Sequence, residues 1–196
     1  MKTVPDQLCS SIAAPSRVDR VCVGVYEDNA PPWCNDQLWQ AADSTLQNLA
    51  WRHRHQLDQV KETADYIKSM LASIDDSLDR LARQTCAQCP APCCLVADVS
   101  YDFRDLLFIH MTDQAMPPGQ PRRTTGEVCR YLGAEGCLIP RQQRPWICTW
   151  YICAVQKNYL AGCHEISRKH LLSVIVEISI LRKQMESLFI DIVSPA

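Results

Sequence analysis

Eight cysteines concentrated in less than half of the chain carry the chemistry that the sequence suggests. They are Cys86, Cys89, Cys93, Cys94, Cys129, Cys137, Cys148 and Cys153. Clustered thiolates are the ligands of structural zinc sites and of iron–sulfur clusters. A single cysteine is more often a small buried apolar side chain, but eight in one region favour a shared ligand role. The sequence therefore predicts that this region chelates metal through these side chains.

The first motif of the region reads Cys86-Ala-Gln-Cys89-Pro-Ala-Pro-Cys93-Cys94. The turn of a C-x-x-C pair brings both sulfurs to one side, where they can share a metal, and the prolines stiffen the loop. The sulfurs of adjacent Cys93 and Cys94 diverge, so the two are hard to place on one tetrahedral ion. We expect one of them to join Cys86, Cys89 and a distal cysteine, with Cys148 the first choice, in a principal centre. The other is expected to serve a second centre or to remain a free thiol.

The other cysteines of the region follow in two pairs. Cys129 and Cys137 flank a predicted hairpin and can face the same space. Cys148 and Cys153 straddle the segment Thr-Trp-Tyr-Ile. Aromatic residues near this second pair are expected to shield the site from solvent, which sets the redox potential of a metal centre. These residues are Trp146, Trp150 and Tyr151.

Twelve cysteines in all raise the alternative of a disulfide framework. The first twenty residues contain no apolar run of signal-peptide length, so we expect a cytoplasmic protein, in which clustered cysteines bind metal more often than they form disulfides. Four cysteines lie outside the motif and are predicted not to be ligands. These are Cys9, Cys22, Cys34 and Cys163.

Composition excludes several classes of function. The net charge is −2 and the isoelectric point is about 6.2, which favours neither nucleic acid nor an anionic membrane as a partner. The most apolar stretch is short and carries a charge, so no membrane span is predicted. The sequence contains no dinucleotide-binding, P-loop or nucleophile-elbow motif. No catalytic residue is therefore predicted.

The cysteine region must be positioned by helices, and the predicted fold is mainly α. Residues 1–35 are predicted to form an irregular arm with a weak strand at 21–26, and residues 36–84 a long helical segment capped by Asn35 or Asp36. The metal-binding region with a short hairpin covers 85–160, and 161–196 form a C-terminal helix that packs on the first. An unbroken helix over 36–84 would be about 70 Å long, so we expect a break near Trp51.

Two apolar seams with steps of three and four residues predict how the long helices meet. The first seam consists of Leu57, Val60, Ala64, Ile67, Leu71, Ile74, Leu78 and Leu81. The second consists of Leu171, Val174, Ile178, Leu181, Met185, Leu188 and Ile192, widened by Ile175, Val176 and Ile180. We expect the helices to pack on each other, with a second copy or another protein as a further partner. The opposite face of the first helix, which includes Asp75 and Asp79, is predicted to lie in water.

The region between the long helices contains short elements. Residues Leu95 to Val99 are interpreted as a strand and Asp102 to Met111 as a short helix. Residues 128–132 and 137–139 are interpreted as the arms of a hairpin. Arg144 has two alternatives: it closes a loop by donating to backbone carbonyls, or it offsets the charge of a thiolate site.

The order of these motifs resembles the bacterial CxxCxxCC, or YkgJ-type, cysteine-cluster family. The shared features are the first motif, Cys129-Arg-Tyr-Leu, Gly136-Cys137-Leu-Ile, Arg-Pro-Trp-Ile-Cys148 and a terminal cysteine. The chain departs from the pattern in having three residues before the cysteine pair where many relatives have two. The resemblance implies a zinc- or iron-chelating domain. A lysine N-methylase that acts on flagellin shares the cluster and is similar to [4Fe–4S] proteins.

Two hypotheses of different classes follow. The first is an iron–sulfur protein with a [4Fe–4S] cluster, used for electron transfer or redox sensing. The alternative is a structural zinc module with Cys₄ sites, whose helices provide an interaction surface. The third hypothesis, by analogy with the methylase, is an enzyme, but the sequence contains no catalytic motif to support it.

Overall fold

Helices dominate the computed structural model, which describes residues 35–87, 89–122, 126–134 and 136–194. The elements in chain order are α1 (Asp36–Arg52), α2 (Asp58–Thr85), α3 (Cys93–Val96), α4 (Phe103–Met111), β1 (Leu132–Gly133), β2 (Gly136–Cys137), a 3-10 turn (Arg141–Gln143), α5 (Ile147–Trp150), α6 (Ala154–Ala161) and α7 (Glu165–Val193). The predicted mainly α fold with a short hairpin is confirmed. The predicted arm over 1–35, apart from its last residue, and the weak strand within it lie outside the described residues.

The first long helical segment is broken as expected. Asn35 caps α1 by accepting a hydrogen bond from the Leu38 N–H at 2.8 Å, and α1 ends at Arg52. Five residues separate α1 from α2, although neither proline nor glycine lies among them. Because the chain turns here, α1 leaves the line of α2 and buries Trp39 and Leu46.

Helices α2 and α7 form the central pair of the fold. Every residue of the predicted α2 seam, from Leu57 to Leu81, is buried. On α7 the deepest positions of the predicted seam are Ile178 and Met185, both fully buried. Tyr66 of α2 donates a hydrogen bond from its hydroxyl to Glu177 of α7 at 3.4 Å. The prediction that the two long helices pack on each other is therefore confirmed.

The apolar stripe of α7 is narrower than predicted. Val176 and Ile180 are exposed, whereas Ile175 is buried. Two residues outside the predicted stripe, Phe189 and Arg182, are also buried, and the Arg182 guanidinium pairs with Asp105 of α4. The prediction was wrong for Val176 and Ile180 because it placed them on the buried side from hydrophobicity alone.

Helix α4 connects α1 to the central pair. Its N-cap Asp102 accepts a hydrogen bond from the Asp105 N–H, and the Asp105 carboxylate accepts one from the Asp102 N–H, both at 2.9 Å. Arg104 pairs with Glu186 of α7 at 2.7 Å. On the other side, His110 lies 2.8 Å from Asp43 of α1. These contacts hold α4 between α1 and α7.

The structure corrects two further details of the sequence interpretation. The expected strand from Leu95 is instead the end of the one-turn helix α3, followed by extended chain. Asp75 and Asp79 of α2 do not simply face water, because both pair with the buried Arg141. This pairing joins the 3-10 turn to α2. Among the described residues, no helix is both long and apolar enough to cross a membrane.

The difference in burial between nearby residues of α7 allows a direct test of the packing of α7 on α2. Ile178 is 0% exposed and Val176 is 59% exposed. We expect Ile178→Ala to lower the free energy of unfolding by about 2–5 kcal/mol, because it leaves a cavity between α2 and α7. The control Val176→Ala should change it by less than about 0.5 kcal/mol. Urea unfolding followed by circular dichroism measures both, and equal losses would contradict the packing described above.

Candidate metal centre

Four of the predicted ligands come together where α2 ends and α6 begins. Cys86 follows the last residue of α2, Cys89 lies in the next turn, Cys93 opens α3, and Cys153 is the N-cap of α6. The Cys89 N–H donates to the Cys86 carbonyl at 3.2 Å, which closes the C-x-x-C turn. We refer to these four residues as the first set.

Gln156 of α6 connects two members of the first set. Its side-chain oxygen accepts a hydrogen bond from the Cys153 N–H at 3.2 Å, and its Nε2 donates to the Cys86 sulfur at 3.7 Å. The Thr85 hydroxyl also lies 3.8 Å from that sulfur. Hydrogen bonds to sulfur of this kind orient a ligand and stabilise its thiolate form. Sequence reasoning missed Gln156, although its place three residues after Cys153 is that of a capping-box residue.

The other four predicted ligands form a second set, which consists of Cys94, Cys129, Cys137 and Cys148. The Cys129 N–H donates to the Cys94 carbonyl at 3.1 Å. Cys137 lies on β2, paired with Leu132 of β1, and the Leu132 N–H donates to the Cys129 carbonyl at 3.0 Å. Cys148 lies on α5. These elements are short, and each is positioned by hydrogen bonds to its neighbours rather than by a sheet or a long helix.

Electrostatic interactions between the thiols follow the same division. Burial, followed by the charges of Cys153, Cys86, Cys94 and Cys89, raises the pKa of Cys93 to about 11. Burial also raises the pKa of Cys94, and the charges that act on it most strongly are those of Cys129 and Cys137, ahead of Cys86. Each of the two adjacent cysteines therefore interacts mainly with a different set.

Cys148 interacts with the second set. Cys148 as a residue is exposed to solvent, although protein atoms crowd its thiol. This crowding, followed by the charges of Cys94, Cys137 and Cys129, raises the pKa of its thiol. Cys148 was the first choice as distal partner of Cys86 and Cys89, whereas in the structure the cysteine outside the first motif whose charge acts on Cys86 and Cys93 is Cys153.

The helical turn of α3 explains why Cys93 and Cys94 separate. Successive residues of an α-helix point about 100° apart, because one turn contains 3.6 residues. Cys93 and Cys94 are the first two residues of α3, so their side chains leave the backbone toward different neighbours. The predicted divergence of the pair has its physical cause in this turn.

All nine cysteines in the described part of the chain are free thiols. Cys163, the ninth, lies apart from both sets, and its thiol donates to the Tyr159 carbonyl at 3.5 Å. Cys9, Cys22 and Cys34 lie outside the described residues. No group of three or more cysteine, histidine or acidic side chains within the described ranges stands at the spacing of metal ligands. Within these ranges neither set therefore has the geometry of an assembled metal site.

A buried ion pair holds the backbone just before Cys148 in place. Asp105 of α4 accepts a hydrogen bond from the Trp146 N–H at 2.8 Å and pairs with Arg182 of α7 at 2.5 Å. Arg182 also lies over the rings of Trp146 and Phe108, with 5.6 and 5.9 Å to the centroids. Because Trp146 directly precedes α5, these contacts position Cys148 relative to the core.

Sequence reasoning missed this pair, although two signals were present. Asp102 and Asp105 have the spacing of a capping box, and Arg182 falls four residues after Ile178 on the apolar face of α7. Burial raises the pKa of Asp105 to about 6, while the charge of Arg182 and the N–H groups of Asp102 and Trp146 lower it. The carboxylate is therefore ionised at neutral pH and paired with the guanidinium.

Arg144 fulfils both roles considered for it. Its Nε donates to the Ile139 carbonyl at 2.9 Å and so closes the loop before α5. Its positive charge also lowers the pKa of Cys94, against the larger effect of burial.

The expected aromatic shield is incomplete. Trp146 is partly buried and donates from its indole N–H to Ser179 at 3.2 Å, but Trp150 and Tyr151 are 44% and 43% exposed. Their rings contact each other edge to face. They lie outward because the short helix α5 turns its Thr149 side toward the interior.

Comparisons of the chain with protein-family models, with curated proteins and with solved structures find no match. The similarity to the YkgJ-type family thus rests on the spacing of the cysteines and the residues around them. The arrangement of the two sets is described from this chain alone.

The support of α5 by the buried pair can be tested by removing the cation. We expect Arg182→Met to lower the free energy of unfolding by about 3–5 kcal/mol at pH 7.5, because it leaves the Asp105 carboxylate buried and unpaired. The loss should be smaller at pH 5. The charge of Arg182 lowers the pKa of Asp105, so without Arg182 this pKa should rise further. At pH 5 the carboxyl of the variant is then protonated, and its burial no longer leaves an unpaired charge.

Guanidinium chloride unfolding at both pH values measures the effect. Lys183→Met, at the exposed neighbouring position of α7, is the matched control and should stay within about 0.5 kcal/mol of the parent protein. A loss for Arg182→Met that is as large at pH 5 as at pH 7.5 would show that the ion pair is not its cause.

Proposed function

We propose that this chain chelates metal in two centres, each held by four thiolates, and that the centres are iron–sulfur clusters used in electron transfer or redox sensing. The observation that carries the proposal is the division of the eight cysteines into two sets of four. The division separates Cys93 from Cys94 although they are adjacent in sequence. Four thiolates are the complete ligand set of a [4Fe–4S] cluster and of a structural zinc ion.

The electrostatics of the two sets support a bound cation. The thiols of Cys86, Cys93, Cys94 and Cys148 all have raised pKa values, caused first by burial and then, among other charges, by neighbouring thiolates. Four nearby thiolates repel one another unless a cation lies between them. A bound metal lowers the pKa of each thiol, because it stabilises the deprotonated form of the ligand.

Iron–sulfur chemistry is the first candidate because the sets contain only sulfur and are close to each other. Consecutive Cα atoms are about 3.8 Å apart, so Cys93 and Cys94 bring two centres into near contact. Two neighbouring clusters can exchange electrons through such a junction. The solvent exposure of Cys148 gives a partner access to the second centre.

Structural zinc is the second candidate, and a different observation favours it. Where the structure describes it, the segment that contains both sets has two-residue strands, a 3-10 turn, two four-residue helices and the short helices α4 and α6. Small segments of this kind gain folding free energy from zinc. In this case the protein would work through its helical surface, and the metal would maintain the shape of the cysteine segment.

Metal analysis of the anaerobically purified full chain tests the proposal. Two iron–sulfur centres predict about eight iron and eight acid-labile sulfide per chain with a brown colour, since each [4Fe–4S] cluster holds four iron atoms. Two structural sites predict about two zinc per chain and no colour. Less than half an equivalent of iron and zinc combined would overturn the proposal.

Substitutions in the two sets should remove metal independently. Replacing a ligand by serine keeps the volume but supplies an oxygen that is poorly ionised. We expect Cys153→Ser and Cys148→Ser each to lose about half of the bound metal, because each opens one centre. The control Cys163→Ser should keep all of it, since serine can still donate to the Tyr159 carbonyl. If Cys163→Ser lost metal and Cys153→Ser did not, the first set would be wrongly assigned.

A further inference from the structure

Arg122 is a buried cation for which the described chain supplies no countercharge. Its side chain is 8% exposed. One nitrogen, Nη2, donates to the carbonyl oxygens of Cys93 and Cys94 at 3.2 and 3.0 Å. The other two, Nε and Nη1, are buried and have no hydrogen-bond partner within the ranges that the structure describes. A guanidinium therefore lies in the interior with two of its donor nitrogens unused.

The other buried arginines are satisfied differently. Arg141 pairs with Asp75 and Asp79, and Arg182 pairs with Asp105. In both cases a carboxylate neutralises the buried charge. An unpaired buried charge is strongly unfavourable, because the ion has lost its hydration without gaining a partner. Arg122 therefore differs from Arg141 and Arg182 in having no carboxylate partner among the described residues.

The position of Arg122 indicates what the missing anion is. Its guanidinium contacts the peptide carbonyls of Cys93 and Cys94, which belong to the first and the second set respectively. A centre with four thiolates carries a net negative charge, whether it holds one divalent zinc ion or a [4Fe–4S] core. Such a charge arises beside Arg122 only when the cysteines bind metal as thiolates.

We propose that Arg122 is the shared countercharge of the two thiolate centres, placed at the junction where their ligands separate. This inference rests on the proposed function. Arg122 acts through electrostatics on groups that hold the metal and is a positioning residue. In the metal-loaded protein it offsets negative charge from both sides, and without metal it is an unpaired cation. The arrangement makes metal retention depend on the charge at position 122.

Three substitutions separate the charge of Arg122 from its hydrogen bonds and from its packing. Arg122→Lys keeps the charge, Arg122→Gln keeps N–H donors without the charge, and Arg122→Met keeps neither. The matched control is Arg141→Gln, which removes a buried cation that already has carboxylate partners. The full chain is loaded with its metal, and retention is measured by titration with a chelator while bound metal is followed by absorption and elemental analysis.

If the charge of Arg122 stabilises the metal centres, the variants should lose metal in a specific order of chelator concentration. Arg122→Lys should retain metal like the parent protein, whereas Arg122→Gln and Arg122→Met should both lose it at about tenfold lower chelator concentration, as is typical for residues just outside a ligand shell. Arg141→Gln should lower thermal stability without changing the chelator midpoint. A midpoint for Arg122→Gln equal to that of the parent would overturn the inference and leave Arg122 as a hydrogen-bond donor only.

Two further outcomes are distinguishable. If the parent chain holds no metal, the proposed function fails before Arg122 is considered. If inorganic phosphate stabilises the metal-free parent chain against heat but not Arg122→Gln, the guanidinium binds a free anion, and the countercharge role is wrong. If the neutral variants fold poorly, Arg122→Lys still tests the inference, because it preserves the charge and most of the side-chain volume.

Discussion

The carboxylate of Asp105 joins α4, the backbone before α5 and the middle of α7 beside the candidate site. It completes the cap of α4 through Asp102, accepts a hydrogen bond from the backbone of Trp146 just before α5, and pairs with Arg182 in the middle of α7. Buried charge is costly unless it is paired and hydrogen-bonded, and here three different segments supply the partners. The cysteine segment is thereby fixed to the helical core at one defined point.

A second constraint acts within the cysteine segment itself. The one-turn helix α3 directs Cys93 and Cys94 about 100° apart, so the two residues contribute to different sets. The first set is completed by α6 through Cys153, and the second by the hairpin and α5. The helical core holds the ends of these elements, and the cysteines lie where the elements meet. Metal binding would thus tie together short segments that bury little apolar surface of their own.

The sequence predicted those parts of the protein that follow from local periodicity. The seam from Leu57 to Leu81 has a strict helical spacing, and burial follows it residue by residue. The hairpin followed from its glycines, and the eight cysteines were recognisable from their number and spacing. These features depend on interactions between neighbours in the chain, which a single sequence displays.

What could not be predicted depends on contacts between distant segments. Cys153 rather than Cys148 joins the first set because α6 begins beside the end of α2. Arg182 lies inside because Asp105, 77 residues before it in the chain, is buried beside it. Periodicity assigns an apolar residue to the interior and a charged one to water, so it fails wherever a buried ion pair reverses that preference. The unpaired guanidinium of Arg122 is likewise visible only in the folded chain.

X-ray absorption at the metal edge tests the central claim most directly, because it reports the ligand atoms of the bound metal without any substitution. The account predicts, for the anaerobically purified chain, a first shell made of sulfur alone at about 2.3 Å. Iron–sulfur centres would add a short iron–iron distance, and zinc centres would not. A first shell dominated by nitrogen or oxygen would contradict the account, because it would mean that the eight cysteines are not the ligands.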